Sequence, residues 1–225
     1  MLERVLEPEV MDSQTEAIDY DAMDHGEVNQ KFVADFLAQK PDVSNVLDLG
    51  TGTAQIPLEL CSQSQTAQVL GVDLAEWMLQ VGRENIQRCG YTQQVRLEKA
   101  DAKHLPYDAE SFSAVMSNSI IHHIPAPPPV LAEAVRVARC GAVLFFRDLL
   151  RPADLPTLER LVSTYAAGAN SHQRQMFAES LHAALSLDEL RQMVAALGFA
   201  PATVQQTTDR HWTWCAVKPV GTMKE

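Results

Sequence analysis

The order of hydrophobic and polar positions divides the chain into a helical beginning and a long alternating middle. Across residues 13–39, apolar side chains recur at the spacing of a helix. The residues expected on the buried face are Val28, Phe32, Phe36 and Leu37. This pattern predicts one or two helices ahead of the first strand.

Short apolar runs then alternate with amphipathic segments. The predicted strands are Asn45–Leu49, Gln68–Asp73, Val95–Lys99, Phe112–Ser117 and Ala142–Arg147. The predicted helices between them are Ala54–Ser62, Ala75–Cys89 and Val130–Ala138, the last after a stiff proline-rich loop. Nearly all-apolar strands that alternate with helices are typical of a buried, mostly parallel sheet. The fold class predicted here is therefore α/β, with a doubly wound, Rossmann-like sheet.

The alternation stops after Leu149. Two helical segments, Asp154–Ala166 and His172–Ala184, predict a helical insertion behind the fifth strand. A capping-box-like start at Ser186 begins a further helix, which Gly198 ends. Two late strands follow, Ala202–Gln206 and Arg210–Val217, and the alternation of the second one suits an antiparallel partner.

Composition and charge narrow the class of protein. The chain has 225 residues, of which 46% are hydrophobic and 21% charged, so it can bury a large core. A formal net charge of -11 repels phosphate backbones, and we expect no nucleic-acid partner. We see neither a signal-peptide pattern nor an apolar run of membrane-spanning length. The four cysteines are widely spaced, which favours reduced thiols and a cytoplasmic protein without membrane insertion.

A glycine turn gives the first indication of chemistry. The segment VLDLGTGTA, residues 46–54, reads as a strand that enters a tight turn and then a helix. Gly50 and Gly52 let the backbone approach a bound nucleotide or amino acid where a Cβ atom would collide. The N-terminus of the following helix offers free N–H groups to an anion.

Three further polar positions follow neighbouring strands. Asp73 ends the second strand, 21 residues after Gly52, where an acid reaches the ribose hydroxyls of an adenosine. The alternative for Asp73 is a helix N-cap. Asp101 follows the third strand and can accept from an adenine amine, and Asn118 follows the fourth. Ligands of open α/β sheets bind at this edge, outside the carboxyl ends of the strands.

These segments resemble a known family. VLDLGTGTA, VLGVDLAEWM, KADAKHLPYDAESFSAVMSNSIIHHI and VLFFRDLLRP look like the ordered motifs of class I S-adenosyl-L-methionine (SAM)-dependent methyltransferases, closest to the UbiE-like small-molecule group. The resemblance covers residues 43–148 well and the last helix and strands more loosely. It implies a seven-stranded sheet with one antiparallel strand. It also implies SAM as cofactor and S-adenosyl-L-homocysteine (SAH) as product.

The same resemblance assigns cofactor contacts. It places Asp48, Gly50 and Gly52 beside the methionine part of SAM, Asp73 beside the ribose, and Asp101 with Ala102 beside the adenine. Leu74 and Met78 would pack against the adenine face. The remaining cofactor-binding candidates are Tyr20 in the N-terminal segment, Thr51 in the glycine turn, and Asn118.

Candidates for handling the methyl acceptor follow strands four and five. His122 or His123 would contact the acceptor or act as a base, or else both hydrogen-bond within their loop. Arg147 would bind an acidic group of the acceptor, or else form an ion pair that fixes the next loop. These three are the predicted catalytic residues. A metal site on the two histidines needs further ligands, such as Asp148 or His25, and we predict none.

The sequence therefore predicts a SAM-dependent methyltransferase that transfers a methyl group in line to a small-molecule acceptor. The alternatives are a non-catalytic, regulatory SAM-binding protein and an NAD-dependent oxidoreductase. Gln55 argues against the oxidoreductase, because it stands at the third glycine of the dinucleotide fingerprint. We expect one methyltransferase domain over 1–225, acting as a monomer or homodimer. Its expected parts are an N-terminal helical segment (1–42), a SAM-binding core (43–148), a helical cap insertion (149–185), and the final helix and strands (186–225). The UbiE-like resemblance does not identify a quinone acceptor, because many acceptors share this fold.

Overall fold

A computed structural model describes residues 2–7, 12–23 and 26–220. Its helices are α1 (Gln14–Asp21), α2 (Gly26–Leu37), α3 (Gln55–Gln63), α4 (Glu76–Cys89), α5 (Pro128–Val137), α6 (Leu155–Tyr165), α7 (Ser171–Ala183) and α8 (Leu187–Ala196). Its strands are β1 (Val46–Leu49), β2 (Val69–Asp73), β3 (Val95–Lys99), β4 (Phe112–Asn118), β5 (Ala138–Leu149), β6 (Val204–Gln206) and β7 (His211–Val217). Short 3-10 turns cover Ile121–His123 and Pro201–Thr203. Within the described ranges, no helix is long and apolar enough to cross a membrane.

The strands form one seven-stranded sheet in the order β3-β2-β1-β4-β5-β7-β6. Strands β1 to β4 are parallel where they pair, with Val46 opposite both Val69 and Ala114. Strand β7 is antiparallel to β6. Strand β7 is also antiparallel to β5. The N–H of Gly141, early in β5, donates to the carbonyl of Lys218, whereas the N–H of Leu150, just after β5, donates to the carbonyl of Arg210. The mostly parallel sheet with one reversed strand, and the helical insertion after β5, are confirmed.

Several predicted boundaries were wrong where burial changes along an element. Strand β5 begins at Ala138 rather than Ala142, because residues 139–141 are exposed and carry no apolar pattern. Helix α5 begins at Pro128, inside the proline-rich loop, since proline is tolerated in the first helical turn. On α2, Val28 is 41% exposed, while Asn29 takes a buried position.

The chain divides into two compact units. The larger unit contains the described residues within 10–118, 128–146 and 215–225. Its core packs α2 on the sheet, with the Phe32 and Phe145 rings edge to face at 5.2 Å between centroids and Phe36 beside them at 5.8 Å. Burying each of these phenyl side chains contributes roughly 1.5–3 kcal/mol to folding.

The smaller unit contains the described residues within 1–9, 119–127 and 147–214. Leucines of α6 and α7 build its core, together with Leu149 and with Leu2 of the N-terminal segment. The Arg4 guanidinium donates to the carbonyls of His122, Ile124 and Ala183, at 3.2, 3.0 and 2.6 Å. These bonds hold segment 2–7 against the 3-10 turn that carries both candidate histidines.

Candidate cofactor and catalytic sites

The glycine turn between β1 and α3 has left-handed backbone at three positions. Gly50, Gly52 and Ala54 have φ values of 69°, 53° and 65°. This region suits glycine because it has no Cβ atom to collide with the backbone. Both Gly50 and Thr51 donate their N–H groups to the Val72 carbonyl, which fixes the turn against β2. Helix α3 then begins without a side-chain cap, so its first turn offers N–H groups to a ligand.

A cleft of about 330 Å³, including space open to solvent, lies beside this turn in the larger unit. Its lining residues are Tyr20, Asn29, Asp48, Gly50, Thr51, Thr53, Gln55, Ile56 and Asn118. Five of the predicted cofactor contacts are brought together there: Tyr20, Asp48, Gly50, Thr51 and Asn118. The cleft therefore coincides with the region that the glycine turn indicated.

Four residues that line the cleft were not among the predicted cofactor contacts. Asn29 donates to Gln55 Oε1 at 3.1 Å, and Gln55 Nε2 donates to Asp21 Oδ1 at 3.2 Å, so amide groups join α1, α2 and α3. Thr53 and Ile56 complete the group. Three of the four lie within a few residues of the glycine turn, and this closeness in sequence could have indicated them. For Asn29, the sequence offered only its place in a predicted helix.

Asp48 is the most perturbed acid of the cleft. Its side chain is 2% exposed, and its Oδ2 atom has no hydrogen-bond partner among the described residues. Burial raises the pKa of Asp48 to about 7, the nearby Thr51 hydroxyl opposes this rise, and the Asp73 carboxylate adds to it. A buried carboxylate oxygen without a donor is costly, and a cationic or N–H-bearing ligand would satisfy it.

Tyr20 forms one wall near the turn. A Cβ atom placed on Gly52 would lie 3.7 Å from Tyr20 Cε1, so the ring lies close to the backbone there. Burial raises the pKa of Tyr20 to about 12, and Asp73 and Asp48 contribute to the rise. The phenol therefore stays neutral and can serve as a hydrogen-bond donor.

Asp73 joins the glycine turn to the segment that precedes α4. Its Oδ2 accepts from Gly52 N–H at 2.8 Å, which closes the glycine turn. Its Oδ1 accepts from Ala75 N–H at 2.9 Å, a turn that leads into α4. The N-cap prediction for Asp73 was wrong, because the N-cap of α4 is Ala75 and no side chain caps this helix. The Asp73 carboxylate lies at the carboxyl end of β2 and holds the glycine turn.

The predicted adenine contacts lie outside the residues that line the cleft. Met78 is buried against Ala17 of α1, and Leu74 is half-buried. Asp101 is held by Lys103, whose backbone N–H donates at 2.9 Å and whose ammonium lies 3.1 Å away. Ala102 is half-buried beside it. The roles of these four residues, and of Gly52 and Asp73, as cofactor contacts stay predictions.

His122 lies in a polar cluster of the smaller unit. Its ring is 5% exposed, and its Nδ1 lies 2.5 Å from Asp148 Oδ1. Asp148 also accepts the backbone N–H groups of Ile121 and Leu149 at 2.5 and 2.6 Å. Burial opposes the charged forms of both groups, yet their mutual attraction raises the pKa of His122 and lowers that of Asp148.

His123 stacks on its neighbour and faces an acid that the sequence did not indicate. The two imidazole centroids are 4.1 Å apart. Glu7 Oε1 lies 3.0 Å from His123 Nδ1 and 3.5 Å from His122 Nε2. Burial opposes ionisation of Glu7, but the histidines, His123 first, lower its pKa. No local motif marks Glu7, because only folding brings segment 2–7 to this turn. His25, the other ligand considered, lies outside the described residues.

Arg147 is a buried residue near the end of β5. Its side chain donates from Nε to the Thr213 hydroxyl at 3.0 Å, and Thr213 also contacts the Thr207 hydroxyl at 2.9 Å. This contact anchors Arg147 beside β7. Neither its role as a catalytic residue nor the roles of His122 and His123 are tested by this geometry.

Comparison with known proteins identifies the family. A family model described as a methyltransferase domain matches residues 41–206, so the chain belongs to the methyltransferase-domain family. The resemblance to class I SAM-dependent methyltransferases of the UbiE-like group is thereby confirmed. The family's description, a methyltransferase domain, agrees with the enzyme class that the sequence predicts.

Individual relatives are distant. A demethylmenaquinone methyltransferase of Bacteroides fragilis is 26% identical over 121 residues, which cover 54% of this chain and 49% of that protein. A malonyl-(acyl-carrier protein) O-methyltransferase of Geobacter sulfurreducens is 29% identical over 190 residues, 84% of this chain and 68% of that protein. The chain thus spans about half the length of the first relative. A SAM-dependent methyltransferase from Aquifex aeolicus shares the fold, with TM-score 0.66, 16% identity, and coverage of 92% of this chain and 99% of that one.

Proposed function

We propose that this protein binds SAM in the cleft of the larger unit and transfers its methyl group to a small-molecule acceptor. The observation that carries the proposal is the buried, unpartnered Asp48 Oδ2 at a left-handed glycine turn beside an uncapped helix. An amino acid carries an ammonium for such an oxygen and a carboxylate for such a helix terminus. The methionine part of SAM offers both groups at one end.

The remaining cleft chemistry suits the rest of the cofactor. Asp73 would accept from the ribose hydroxyls while keeping the turn closed through Gly52 N–H. Leu74 and Met78 would supply apolar surface for the adenine. Asp101 and Ala102, which follow the next strand, β3, would also lie beside the adenine. Tyr20 covers the glycine turn. We propose these residues as the cofactor contacts, together with Gly50, Thr51 and Asn118, which line the cleft.

When bound, SAM supplies an electrophilic methyl carbon, which an acceptor nucleophile displaces in line from the sulfonium sulfur. The protein's contribution is then to orient the acceptor, exclude water and, for a protonated nucleophile, accept a proton. His122, His123 and Arg147 are our candidates for these tasks. His123 is the more accessible of the two histidines, because its side chain is 25% exposed and that of His122 is 5% exposed.

The small-molecule acceptor is supported by the relatives and by charge. The relatives named above act on a demethylmenaquinone and on a malonyl group carried by a protein. The net charge of -11 disfavours a polyanionic acceptor. We further propose a cytoplasmic location and a monomeric or homodimeric state, both to be established by fractionation and light scattering.

Calorimetric titration with SAM, SAH and NADH tests the cofactor site. We expect SAM and SAH to bind and NADH to give no heat. Gly50→Val should abolish SAM binding, because a β-branched side chain is strained at this φ and fills the cleft wall. Gly90→Val is the matched control: Gly90 has φ +80° at the end of α4, and its Cβ would meet nothing within 4 Å. Binding of NADH alone, or equal SAM affinity in both variants, would overturn the assignment.

A turnover assay tests catalysis separately. Purified protein with SAM is offered small alcohols, carboxylic acids, amines, thiols and quinols, and SAH release is measured. Saturable release with one acceptor class supports the proposal. Normal SAM binding with no turnover, together with a stable protein partner in pull-downs, would instead favour the regulatory SAM-binding alternative.

A further inference from the structure

We propose that Glu7, His122 and His123 form a site for a transition-metal dication, with Zn²⁺ as the best fit. The proposal does not require methyl transfer, but a bound metal would occupy the histidine nitrogens that we proposed above as candidate bases. One carboxylate oxygen and one nitrogen from each ring lie within 4.8 Å of one another. All three residues belong to the smaller unit, and the Arg4 bonds described above fix the segment that carries Glu7.

The distances match a tetrahedral ligand set before any metal is bound. Zn–N and Zn–O bonds of about 2.0–2.1 Å place tetrahedral ligand atoms roughly 3.3 Å apart. Glu7 Oε1 lies 3.5 Å from His122 Nε2 and 3.0 Å from His123 Nδ1. These two distances are close to the tetrahedral spacing, whereas the stacked imidazole rings, with centroids 4.1 Å apart, must turn for both nitrogens to face one ion.

Outer hydrogen bonds orient two of the three ligands. Asp148 Oδ1 binds His122 Nδ1, which leaves Nε2 directed toward Glu7. Ser180 Oγ donates to Glu7 Oε2 at 3.1 Å, which leaves Oε1 for the ligand set. Metal-binding histidines almost always have such a carboxylate or carbonyl partner on the other ring nitrogen. Asp148 is therefore an orienting residue in this proposal rather than a ligand.

Two of the ligand atoms also lack hydrogen-bond partners. Glu7 Oε1 and His123 Nδ1 are buried and, within the described part of the chain, make no hydrogen bond of acceptable geometry. The two atoms lie 3.0 Å apart and attract each other when the imidazole is protonated, but their geometry is poor for a hydrogen bond. A cation between them would interact with both. The carboxylates of Glu7 and Asp148 would balance the charge of a divalent ion.

The donor set selects the kind of metal. Two imidazole nitrogens and one carboxylate suit Zn²⁺, Co²⁺ or Ni²⁺, whereas Mg²⁺ prefers oxygen ligands and water. Three protein ligands leave a fourth position for water or another small ligand. The ion would also cross-link segment 2–7 to the 3-10 turn, so its binding should stabilise the folded chain.

The test uses the full chain after treatment with a chelator and dialysis. Zn²⁺ is titrated in competition with a chromophoric chelator, Co²⁺ binding is followed by visible absorption, and Mg²⁺ serves as the contrasting ion. We expect one Zn²⁺ per chain, a tetrahedral Co²⁺ spectrum, a higher melting temperature with Zn²⁺, and no competing effect of Mg²⁺.

Variants assign the site. Glu7→Gln and His123→Gln should weaken Zn²⁺ binding by more than the roughly 10- to 100-fold typical of losing an outer-shell partner, and Ser180→Ala by about that smaller amount. His172→Gln, which removes an exposed histidine of α7, is the matched control and should bind as the parent does. Circular dichroism confirms that each variant is folded. Absence of stoichiometric Zn²⁺ binding, or equal affinity in Glu7→Gln and the parent, would overturn the proposal.

Discussion

The cleft of the larger unit and the histidine cluster of the smaller unit share an unusual feature, but different parts of the chain form it in each. Each holds a buried carboxylate oxygen without a hydrogen-bond partner, Asp48 Oδ2 in one and Glu7 Oε1 in the other. Around Asp48, most of the surrounding groups come from one stretch of strand, turn and helix. Around Glu7, the groups come from four separate segments, which carry Glu7, the two histidines, Asp148 and Ser180.

This difference explains why one site could be found by motif and the other could not. A cofactor turn needs backbone geometry, and glycines at fixed spacing encode that geometry locally. Side-chain ligands can come from any part of the chain, provided that folding brings them together. Their spacing in the sequence therefore does not predict the site. Buried polar atoms without partners are the signal that the two sites share, and it appears only in three dimensions.

After Gly50→Val, the largest expected effect on the cleft is that of Asp73→Ala. The change removes the acceptor of Gly52 N–H and Ala75 N–H as well as the proposed ribose contact. Hydrogen bonds to charged groups are worth about 1.5–3 kcal/mol each, so SAM affinity should fall by about 100-fold or more. Calorimetry checks this, with Asp19→Ala, an exposed acid of α1, as control. Zn²⁺ binding should be unchanged in Asp73→Ala, and its loss there would break the contrast between the two sites.

Gly71→Ala should act on stability. A Cβ atom on Gly71 would lie 2.5 Å from Thr51 Oγ1 and 2.7 Å from Leu97 Cδ2, so the side chains of Thr51 and Leu97 must shift. Overpacking of this kind costs about 1–3 kcal/mol of unfolding free energy, measured by urea denaturation. Gly168→Ala, whose Cβ meets nothing within 4 Å, should change stability by much less. An unchanged midpoint for Gly71→Ala would contradict the tight packing behind the turn.

The pH dependence of SAM binding should report the ionisation of Asp48. Because its pKa is about 7, the group is largely protonated below that pH and must lose its proton to pair with an ammonium. SAM and SAH affinities should therefore fall by up to about tenfold for each pH unit below 7 and level off above it. Asp48→Asn should flatten this profile. A profile that is flat in the parent protein would exclude Asp48 as the ammonium partner.

The same raised pKa has the opposite consequence for the ligand-free fold. A buried acid whose pKa rises on folding penalises the folded state when it ionises. Its contribution to stability is therefore lost as pH rises from about 4, the unfolded value, to about 7. Thermal melts of the parent protein and Asp48→Asn across this range, without SAM, measure the difference. Parallel melting curves for the two proteins would refute it.

The smallest expected effect is that of Tyr20→Phe. Tyr20 keeps its proton, since its pKa is about 12. The substitution therefore removes at most one hydrogen bond from a neutral hydroxyl to SAM. Losing it should weaken SAM binding by about two- to tenfold, from a contribution near 0.5–1.5 kcal/mol. Tyr107→Phe, whose hydroxyl bonds to Glu98 at the end of β3, is the control. Equal affinities in the two variants would leave the Tyr20 ring as a wall without a polar role.

By itself the sequence determined the fold class, the family and the position of the cofactor turn, because hydrophobic period and glycine spacing act locally. It placed β2 and β3 nearly to the residue but shortened β5, whose exposed beginning has no apolar signal. Tertiary structure alone decided that Asn29 and Gln55 reach the cleft, that Asp148 orients His122, and that Glu7 faces both histidines. These contacts join residues far apart in the chain, and pairing of buried polar groups is settled only when the core has formed.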